Sequence, residues 1–268
     1  MWDPGQYQHF GDERSRPFFD LLARVAATDP GQVVDLGCGP GTLTATLADR
    51  WPDADVRGID SSPEMIEAAR SLPAAQGRRL SFALGDVRDW RPDGRVDVIV
   101  SNAVLQWVPD HLAVVARWAG FLGPGGWLAF QVPGNFVQTS HAALREMARS
   151  DRWRDLLSGV PLNRQASDPA EYLDLLARAG LEVDAWETTY LHVLQGEDPV
   201  LDWYKGTGLR PVLAALQPDQ AAEFLEGYRV RMAEAYPPAP YGTVFPFRRV
   251  FVVAARRYSR KWSMIRRA

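Results

Sequence analysis

Five short, largely apolar segments recur in the first half of the chain, and sequences of helical periodicity separate them. The segments cover residues 33–37, 56–59, 80–84, 96–101 and 127–132. A strand that is apolar on both faces is typical of a parallel sheet that helices cover on both sides. The alternation of such strands with helices therefore predicts a doubly wound α/β fold.

The second half of the chain follows a different order. A helix is predicted to begin at Asp168, with Glu171 three residues later in a capping-box arrangement. Strands are predicted at 181–194 and 247–255, and mostly helical sequence separates them. We therefore expect one α/β domain of Rossmann-like topology, with a mostly parallel, seven-stranded sheet and a helical lid inserted before the last strand at about residues 196–243.

The composition is that of a globular protein with a full core, because 46% of the 268 residues are hydrophobic and 24% are charged. The formal net charge of −3 argues against a nucleic-acid partner, and we expect the basic tail at residues 258–268 to be a solvated terminus. Cys38 is the single cysteine, so no internal disulfide is possible. The scattered histidines predict no metal site, and without an apolar run of membrane-spanning length we expect a cytoplasmic protein, with a monomer favoured.

Three glycines at alternate positions follow the first strand, in the stretch VVDLGCGPGTLTA at residues 33–45. Glycine-rich turns between a strand and a helix are common in nucleotide-binding proteins, but Gly37, Gly39 and Gly41 form G-x-G-x-G rather than G-x-G-x-x-G. No Lys-Ser or Lys-Thr pair follows, which excludes a Walker A loop. Asp35 precedes the glycines at the strand end, where a carboxylate would repel a pyrophosphate and would suit an ammonium group.

Three further strand ends carry residues that suit such a ligand. Asp60 ends the second strand, where it can accept hydrogen bonds from two ribose hydroxyls, although a nicotinamide dinucleotide would also require an acid there. Residues 85–87 follow the third strand and suit an adenine amine, and residues 101–107 follow the fourth. A ligand with an amino-acid end, a ribose and an adenine but no phosphate is S-adenosylmethionine. The residues predicted to bind it are Arg14, Asp35, Gly37, Gly39, Asp60, Ser61, Gly85, Asp86, Val87, Asn102 and Gln106.

Longer segments over most of the chain follow a family pattern. They are HFGDERSRPFFDLLARV at 9–25, VVDLGCGPG at 33–41, GIDSSPEM at 58–65, GDVRDWRP at 85–92, SNAVLQWVPDH at 101–111, WETTYLH at 186–192 and TGLRP at 207–211. Through these segments the chain resembles the class I S-adenosylmethionine-dependent methyltransferases. More narrowly, it is similar to the bacterial trans-aconitate 2-methyltransferase family over roughly residues 2–257.

The resemblance implies methyl transfer from S-adenosylmethionine to a carboxylate of trans-aconitate, which gives a monomethyl ester and S-adenosylhomocysteine. A carboxylate is ionised at neutral pH, so no general base is required, and Gln106 and Trp107 are expected to position the reactants. A small polyanion requires cationic and hydroxyl donors, and arginine matches a carboxylate with two hydrogen bonds. The predicted substrate-binding residues are His9, Arg210, Tyr190, Tyr241 and Arg248, with Arg14, Arg16, His141 and Arg249 as further candidates.

Three alternatives stay open at the level of sequence. The first is a methyltransferase of the same fold that acts on another small carboxylic acid or a natural-product acceptor. The second is a nicotinamide-dependent oxidoreductase, against which the glycine spacing and Asp35 both argue. The third is a module that binds the methyl donor without turnover.

Overall fold

The computed structural model of the chain describes residues 11–75, 79–162 and 166–257, and for residues 11–14 the backbone alone. Its strands are β1 (Gln32–Leu36), β2 (Asp55–Asp60), β3 (Leu80–Leu84), β4 (Val96–Asn102), β5 (Leu122–Pro133), β6 (Glu182–Leu194), β7 (Pro238–Ala239) and β8 (Gly242–Ala255). They form one sheet in the order β3-β2-β1-β4-β5-β8-β6, with β7 paired to β8.

The sheet confirms the predicted fold class. Its first five strands are parallel, and β8 is antiparallel to both β5 and β6. The predicted number of seven strands is one too low for the described residues, because the short β7 folds back on β8 at Gly242. The strand order reverses between β1 and β4, and sheets of this kind bind ligands beyond the carboxyl ends of the strands at that point.

Helices cover both faces of the sheet. Those of the described residues are α1 (Gly11–Leu22), α2 (Thr42–Arg50), α3 (Pro63–Arg70), α4 (His111–Phe121), α5 (Thr139–Arg149), α6 (Pro169–Arg178), α7 (Pro199–Lys205), α8 (Arg210–Ala215) and α9 (Pro218–Ala235). Val33 and Val34, adjacent on β1, belong to two different buried clusters because successive side chains of a strand point to opposite faces. Helices α1 to α3 pack in the cluster of Val33, and α4 and α6 pack in that of Val34.

A third buried cluster is formed by α5, α7, α8 and α9, which we call the helical unit. It includes Trp203, Tyr204, Phe224 and Tyr228, and it packs against Phe245 near the start of β8. The sequence predicts helical structure in residues 198–236, which the structure confirms as three helices, but it misses α5. The sequence does contain a signal for α5, because the buried residues of this helix recur at helical spacing at positions 140, 143, 144, 147 and 148. A role of the unit as a lid stays a prediction.

Several predicted boundaries are wrong, and burial explains the clearest case. The sequence predicts Pro17 at the first position of a helix, whereas α1 begins at Gly11 and contains Pro17 in its interior. Proline lacks the N–H group that a helix interior uses, which costs one hydrogen bond. Phe18 and Leu21 are fully buried against the sheet, and this packing stabilises the helix around the proline.

The predicted capping box at Asp168 is also wrong. Helix α6 does begin after Asp168, but the side chain makes no capping hydrogen bond. It accepts one from Arg248 instead, at 2.9 Å. The strand predicted at 247–255 begins earlier, at Gly242, in spite of Pro246. Proline is tolerated there because β5 has ended at that level and only β6 pairs with this part of the strand.

Candidate active site

The glycine loop joins β1 to α2 at the strand-order reversal. Gly37, Gly39 and Gly41 all have left-handed backbones, with φ of +80°, +56° and +80°, a conformation that side chains disfavour. A Cβ atom on Gly37 would overlap the side chain of Val104, just beyond β4. The N–H groups of Gly37 and Cys38 both donate to the carbonyl of Ile59, at 2.7 and 3.0 Å. The loop is therefore a rigid turn held against the ends of β2 and β4.

Asp35 is a buried acid at the start of this loop. Its carboxylate is 2% exposed, and the Thr44 hydroxyl donates to Oδ2 at 2.6 Å. Oδ1 is buried without a hydrogen-bond partner in the part of the chain that the structure describes. Burial raises the pKa of Asp35 to about 7, against the lowering effect of the Thr44 hydrogen bond. A ligand ammonium group at Oδ1 would satisfy the oxygen and favour the ionised carboxylate, so the site fits the methyl donor predicted from the sequence.

Asp60 is fixed by backbone groups at the end of β2. Its Oδ2 accepts from the N–H of Gly39 and its Oδ1 from the N–H of Ser62, both at 2.9 Å. Each carboxylate oxygen has a second lone pair that a ribose hydroxyl could use. Ser62 caps α3 by accepting from the N–H of Met65, as its position in the sequence predicts, while Ser61 is exposed beside it. The two aspartates thus lie at the ends of neighbouring strands.

The segment predicted to receive the adenine lies beyond β3. The N–H of Gly85 donates to the carbonyl of Asp60 at 2.9 Å, which ties this segment to β2. Asp86 is bound by the guanidinium of Arg88, with contacts of 3.0 and 2.6 Å, and this hydrogen bonding lowers the pKa of Asp86. An adenine amine would have to share the carboxylate with Arg88. Val87 is buried in the core. The donor-binding roles of these residues stay predictions.

The end of β4 carries three polar or aromatic residues that face the space beside the loop. Asn102 Oδ1 accepts from Gln131 Nε2 at 2.6 Å, and Gln106 Nε2 donates to the carbonyl of Ala103 at 2.6 Å. Gln106 Oε1 is buried without a hydrogen-bond partner among the described residues. Trp107 is 39% exposed. Ala103 has a φ of +57°, a left-handed conformation that is unfavourable for alanine and turns the chain sharply after the strand.

A cavity opens between these residues and the helical unit. It has a volume of about 110 Å³ and is partly open to solvent. Its walls combine aromatic rings with a few polar groups, as is typical of small-molecule sites. The lining residues are Asn102, Ala103, Gln106, Trp107, Pro133, Asn135, Phe136, His141, Trp203, Tyr204, Thr207, Gly208, Phe247 and Arg249.

The predicted substrate-binding residues do not gather in this cavity. Tyr190 is 5% exposed, is not among the lining residues, and its hydroxyl donates to Asp20 at 2.6 Å. Tyr241 is 64% exposed on the surface. Arg210 begins α8, and its neighbour Pro211 lines an adjoining groove that shares Gln106 and Trp107 with the cavity. His9 and the side chain of Arg14 lie outside the described residues.

Arg248 and Arg249 point in opposite directions because they are adjacent on β8. Arg248 donates to Glu187 and Asp168, each at 2.9 Å, on the face of the sheet opposite to that of Arg249. Arg249 is 4% exposed, lines the cavity and donates to Gln131 Oε1 at 3.2 Å. The structure therefore brings Arg249 to the cavity in place of Arg248. The alternation of side chains along a strand was the signal that could have separated them.

Other residues that line the cavity do not belong to any motif recognised in the sequence. Tyr204 is buried on α7, and its hydroxyl lies 2.6 Å from Ser140 Oγ and 3.3 Å from Asn135 Nδ2. The His141 ring packs between Phe136 and Tyr204, with ring centroids 5.0 and 5.1 Å apart. These contacts join α5 to α7 across the cavity wall, so this part of the site depends on the helix that the sequence did not predict.

The described residues also bear on two other functions, metal binding and membrane insertion. No group of three or more His, Cys, Asp or Glu side chains is placed to hold a metal ion in residues 11–75, 79–162 and 166–257. Within the same ranges, no helix has both the length and the apolar character needed to span a membrane.

Comparison with solved structures identifies the fold. YcgJ of Bacillus subtilis superposes with a TM-score of 0.58 at 14% identity, over 91% of this chain and 99% of that chain. Phosphoethanolamine N-methyltransferase 2 of Haemonchus contortus, solved in complex with S-adenosyl-L-methionine, superposes with a TM-score of 0.56 at 14% identity, over 95% and 56% of the two chains. At such identity the likeness shows the fold alone.

Comparison of sequences identifies the family. A family described as a methyltransferase domain matches residues 33–126. The chain is 55% identical over 258 residues to trans-aconitate 2-methyltransferase of Streptomyces avermitilis, which covers 94% of this chain and 96% of that protein. It is 53% identical over 257 residues to the enzyme of the same name from Rhodococcus jostii, which covers 95% and 99%. With this identity over nearly its whole length, the chain belongs to the trans-aconitate 2-methyltransferase family of S-adenosylmethionine-dependent methyltransferases.

Proposed function

We propose that this protein transfers the methyl group of S-adenosylmethionine to a carboxylate of trans-aconitate, giving a monomethyl ester and S-adenosylhomocysteine. The observation that carries the proposal is the position of the cavity beside the glycine loop. The cavity begins at the end of β4, the strand that pairs with β1, and β1 carries the buried Asp35. A donor held at β1 and an acceptor held beyond β4 would therefore be neighbours.

The donor side of the proposal rests on three groups of residues. Asp35 would accept the ammonium group of the donor at Oδ1. Asp60, oriented by the N–H groups of Gly39 and Ser62, would accept from the ribose hydroxyls. Residues 85–87 would receive the adenine, with Gly37 and Gly39 allowing the backbone to approach the donor closely.

The reaction requires placement more than activation. The donor supplies a methyl group on a positively charged sulfur, and the attacking carboxylate is already ionised at neutral pH. The protein must hold the carboxylate oxygen about 3 Å from the methyl carbon and in line with its bond to sulfur. Gln106 and Trp107 line the cavity just beyond β4, and we assign them this positioning role. Charge is neutralised during the reaction, so a cavity walled by aromatic rings favours it by excluding water.

The test is an assay of the purified protein with S-adenosylmethionine and, separately, trans-aconitate, cis-aconitate, citrate and isocitrate, with methyl esters detected by mass spectrometry. We expect ester from trans-aconitate in clear preference to the others. Ester from another acid alone would favour the second candidate, a methyltransferase of the same family fold with a different carboxylic acid acceptor. No ester from any of them would contradict the proposal. A monomeric state and a cytoplasmic location stay predictions.

A further inference from the structure

We infer that Asn102 donates a side-chain N–H group to the acceptor carboxylate that is methylated, and that Gln131 fixes the direction in which the Asn102 amide points. The inference rests on the proposed function and names the residue that orients the nucleophile. It assigns Asn102 to the acceptor, whereas the sequence predicts that this residue binds the donor.

A chain of hydrogen bonds crosses three neighbouring strands of the sheet. Arg249 on β8 donates to Oε1 of Gln131 on β5, at 3.2 Å. Nε2 of Gln131 donates to Oδ1 of Asn102 on β4, at 2.6 Å. Gln131 is fully buried, whereas Asn102 is partly buried and lines the cavity, as Arg249 does. The chain therefore begins and ends at the cavity wall and passes through the core of the sheet between them.

The direction of this chain is fixed at its arginine end. The oxygen and nitrogen of a side-chain amide have nearly the same shape, so packing alone does not decide which of them faces a neighbour. A guanidinium has only N–H donors, so the atom of Gln131 that faces Arg249 must be the oxygen. The other interactions of Arg249 leave this unchanged, because none of them makes a guanidinium an acceptor. Gln131 consequently turns its NH2 group to Asn102.

The amide of Asn102 is oriented in turn. Its Oδ1 accepts from Gln131, so its Nδ2 carries two N–H groups on the other side of the amide. Among the residues that the structure describes, Nδ2 has no acceptor, and unlike Gln106 Oε1 it is not enclosed by the protein. The backbone holds the residue in place, because the N–H of Ala103 donates to the carbonyl of Gln131 at 3.0 Å. Asn102 therefore presents a hydrogen-bond donor of fixed orientation at the cavity.

A fixed donor at this place suits an ionised carboxylate. Asn102 ends β4 next to β1, the strand that leads into the glycine loop, and there we place the methyl group of the donor. An N–H group that binds one carboxylate oxygen leaves the other free to form a bond to the methyl carbon, while the carbon–sulfur bond breaks and its electron pair stays on sulfur. No proton moves in this step, so the amide has only to orient the carboxylate. An amide oxygen at the same position would face the carboxylate with lone pairs and oppose binding.

The experiment reverses the polarity of the chain with Gln131→Glu, which keeps nearly the same shape. Both oxygens of the new carboxylate only accept, and the charge of Arg249 favours the ionised form. Asn102 must then turn its NH2 group to residue 131 and its oxygen to the cavity. We expect kcat/KM for trans-aconitate to fall about 100-fold. The Kd of S-adenosylmethionine, measured by calorimetry, should change less than about threefold.

Asn102→Ala separates the orientation of the amide from the added charge. It removes the donor without introducing an opposing oxygen, so kcat/KM should fall only about tenfold. When Asn102→Ala is already present, Gln131→Glu should lower kcat/KM by less than about threefold more, because no amide remains to be turned. A general structural defect would not make the change behind the wall more harmful than removal of the lining residue itself. Gln195→Glu, at an exposed glutamine that donates to the carbonyl of Tyr241, is the matched control and should keep the kinetics of wild type.

Three results would overturn the inference and leave the proposed function intact. They are a kcat/KM within about threefold of wild type in Gln131→Glu, an undiminished loss when Asn102 is already alanine, and a Kd of S-adenosylmethionine that rises more than about threefold, which would show that the amide binds the donor. If Gln131→Glu does not fold, Asn102→Asp carries the test, because it accepts from Gln131, turns an oxygen to the cavity and should lose about 100-fold in kcat/KM. Absence of ester in wild type would instead overturn the proposed function and this inference with it.

Discussion

The proposed donor end of the site, which is the glycine loop with Asp35 and Asp60, and the proposed acceptor cavity are held together by different kinds of contact. At the donor end, backbone groups dominate: left-handed glycines shape the loop, and N–H groups bind the carbonyl of Ile59 and the carboxylate of Asp60. Around the cavity, side chains dominate, and hydrogen bonds link Asn102 to Gln131 and Ser140 to Tyr204 across separate elements. The glycine loop is local in sequence, whereas the cavity draws on residues from 102 to 249.

This difference has a functional consequence. A turn fixed by its backbone tolerates few changes and presents the same groups to the same ligand. A wall assembled from side chains of distant elements can be altered one residue at a time, because the sheet beneath it does not depend on their identity. We therefore expect substitutions of the loop glycines to change donor affinity and stability together, and those in the cavity to change acceptor affinity and leave donor affinity unchanged.

The largest effect is expected from Gly37→Ala. The backbone φ of +80° disfavours alanine, and the new Cβ atom would overlap the side chain of Val104. The free energy of unfolding should fall by about 2–4 kcal/mol, and donor affinity should fall more than about 100-fold. Calorimetric titration and urea unfolding measure the two quantities.

Gly39→Ala is the control for this prediction. Gly39 also has a left-handed backbone, with φ of +56°, but its Cβ atom would have nothing within 4 Å. The free energy of unfolding should therefore fall only by the conformational cost, which is about 1–2 kcal/mol. If the free energy of unfolding fell equally in the two variants, packing against the end of β4 would not determine the shape of the loop.

Asp35→Asn should have the next largest effect, and it acts through charge rather than through the shape of the loop. The amide keeps the size of the side chain and can still accept from Thr44, but it removes the charge that we expect to pair with the donor ammonium group. Donor affinity should fall about 100-fold at neutral pH, while KM for trans-aconitate at saturating donor changes little. Unchanged donor affinity would show that the ammonium group binds elsewhere.

The sequence predicts the turn between β1 and α2 well because its constraints are local. The buried strand, the acid near its end and the three glycines all lie within residues 33–41. Each can be recognised in a single sequence from residue type and spacing. The helix cap at Ser62 and the strands of the parallel sheet are predicted for the same reason.

The cavity could not be predicted in the same way. Which side chains line it depends on how α5 packs on α7 and on which face of β8 each arginine occupies. Arg249 and His141 were among the candidates in the sequence, and strand alternation places Arg248 and Arg249 on opposite faces, but nothing local indicates which face lines the cavity. The lining is decided by strand pairing between residues that are far apart in sequence, such as Arg249 on β8 and Thr188 on β6.

The pH dependence of stability offers a smaller test of the donor end. Burial raises the pKa of Asp35 from 3.8 to about 7, so the stability contributed by its protonated form is fully present below pH 3.8 and is lost as pH rises to about 7. Wild type should therefore lose about 2 kcal/mol relative to Asp35→Asn between pH 5 and pH 7.5. Urea unfolding of both proteins at each pH measures the difference. A difference that does not vary with pH would contradict the proposed buried carboxylate, and saturating S-adenosylmethionine should restore the stability of wild type.

The smallest effect is expected from Tyr204→Phe in the cavity wall. The ring packing is kept, but Ser140 and Asn135 lose the hydroxyl with which they bond. The free energy of unfolding should fall by about 1 kcal/mol, and KM for trans-aconitate should rise about threefold, with no change in donor affinity. Tyr228→Phe is the matched control, because its hydroxyl donates to the carbonyl of Ser140 in the same cluster but does not line the cavity. It should lose similar stability and keep the KM of wild type. If either variant lowered donor affinity, the helical unit would be coupled to the glycine loop, and the two regions would act as one site.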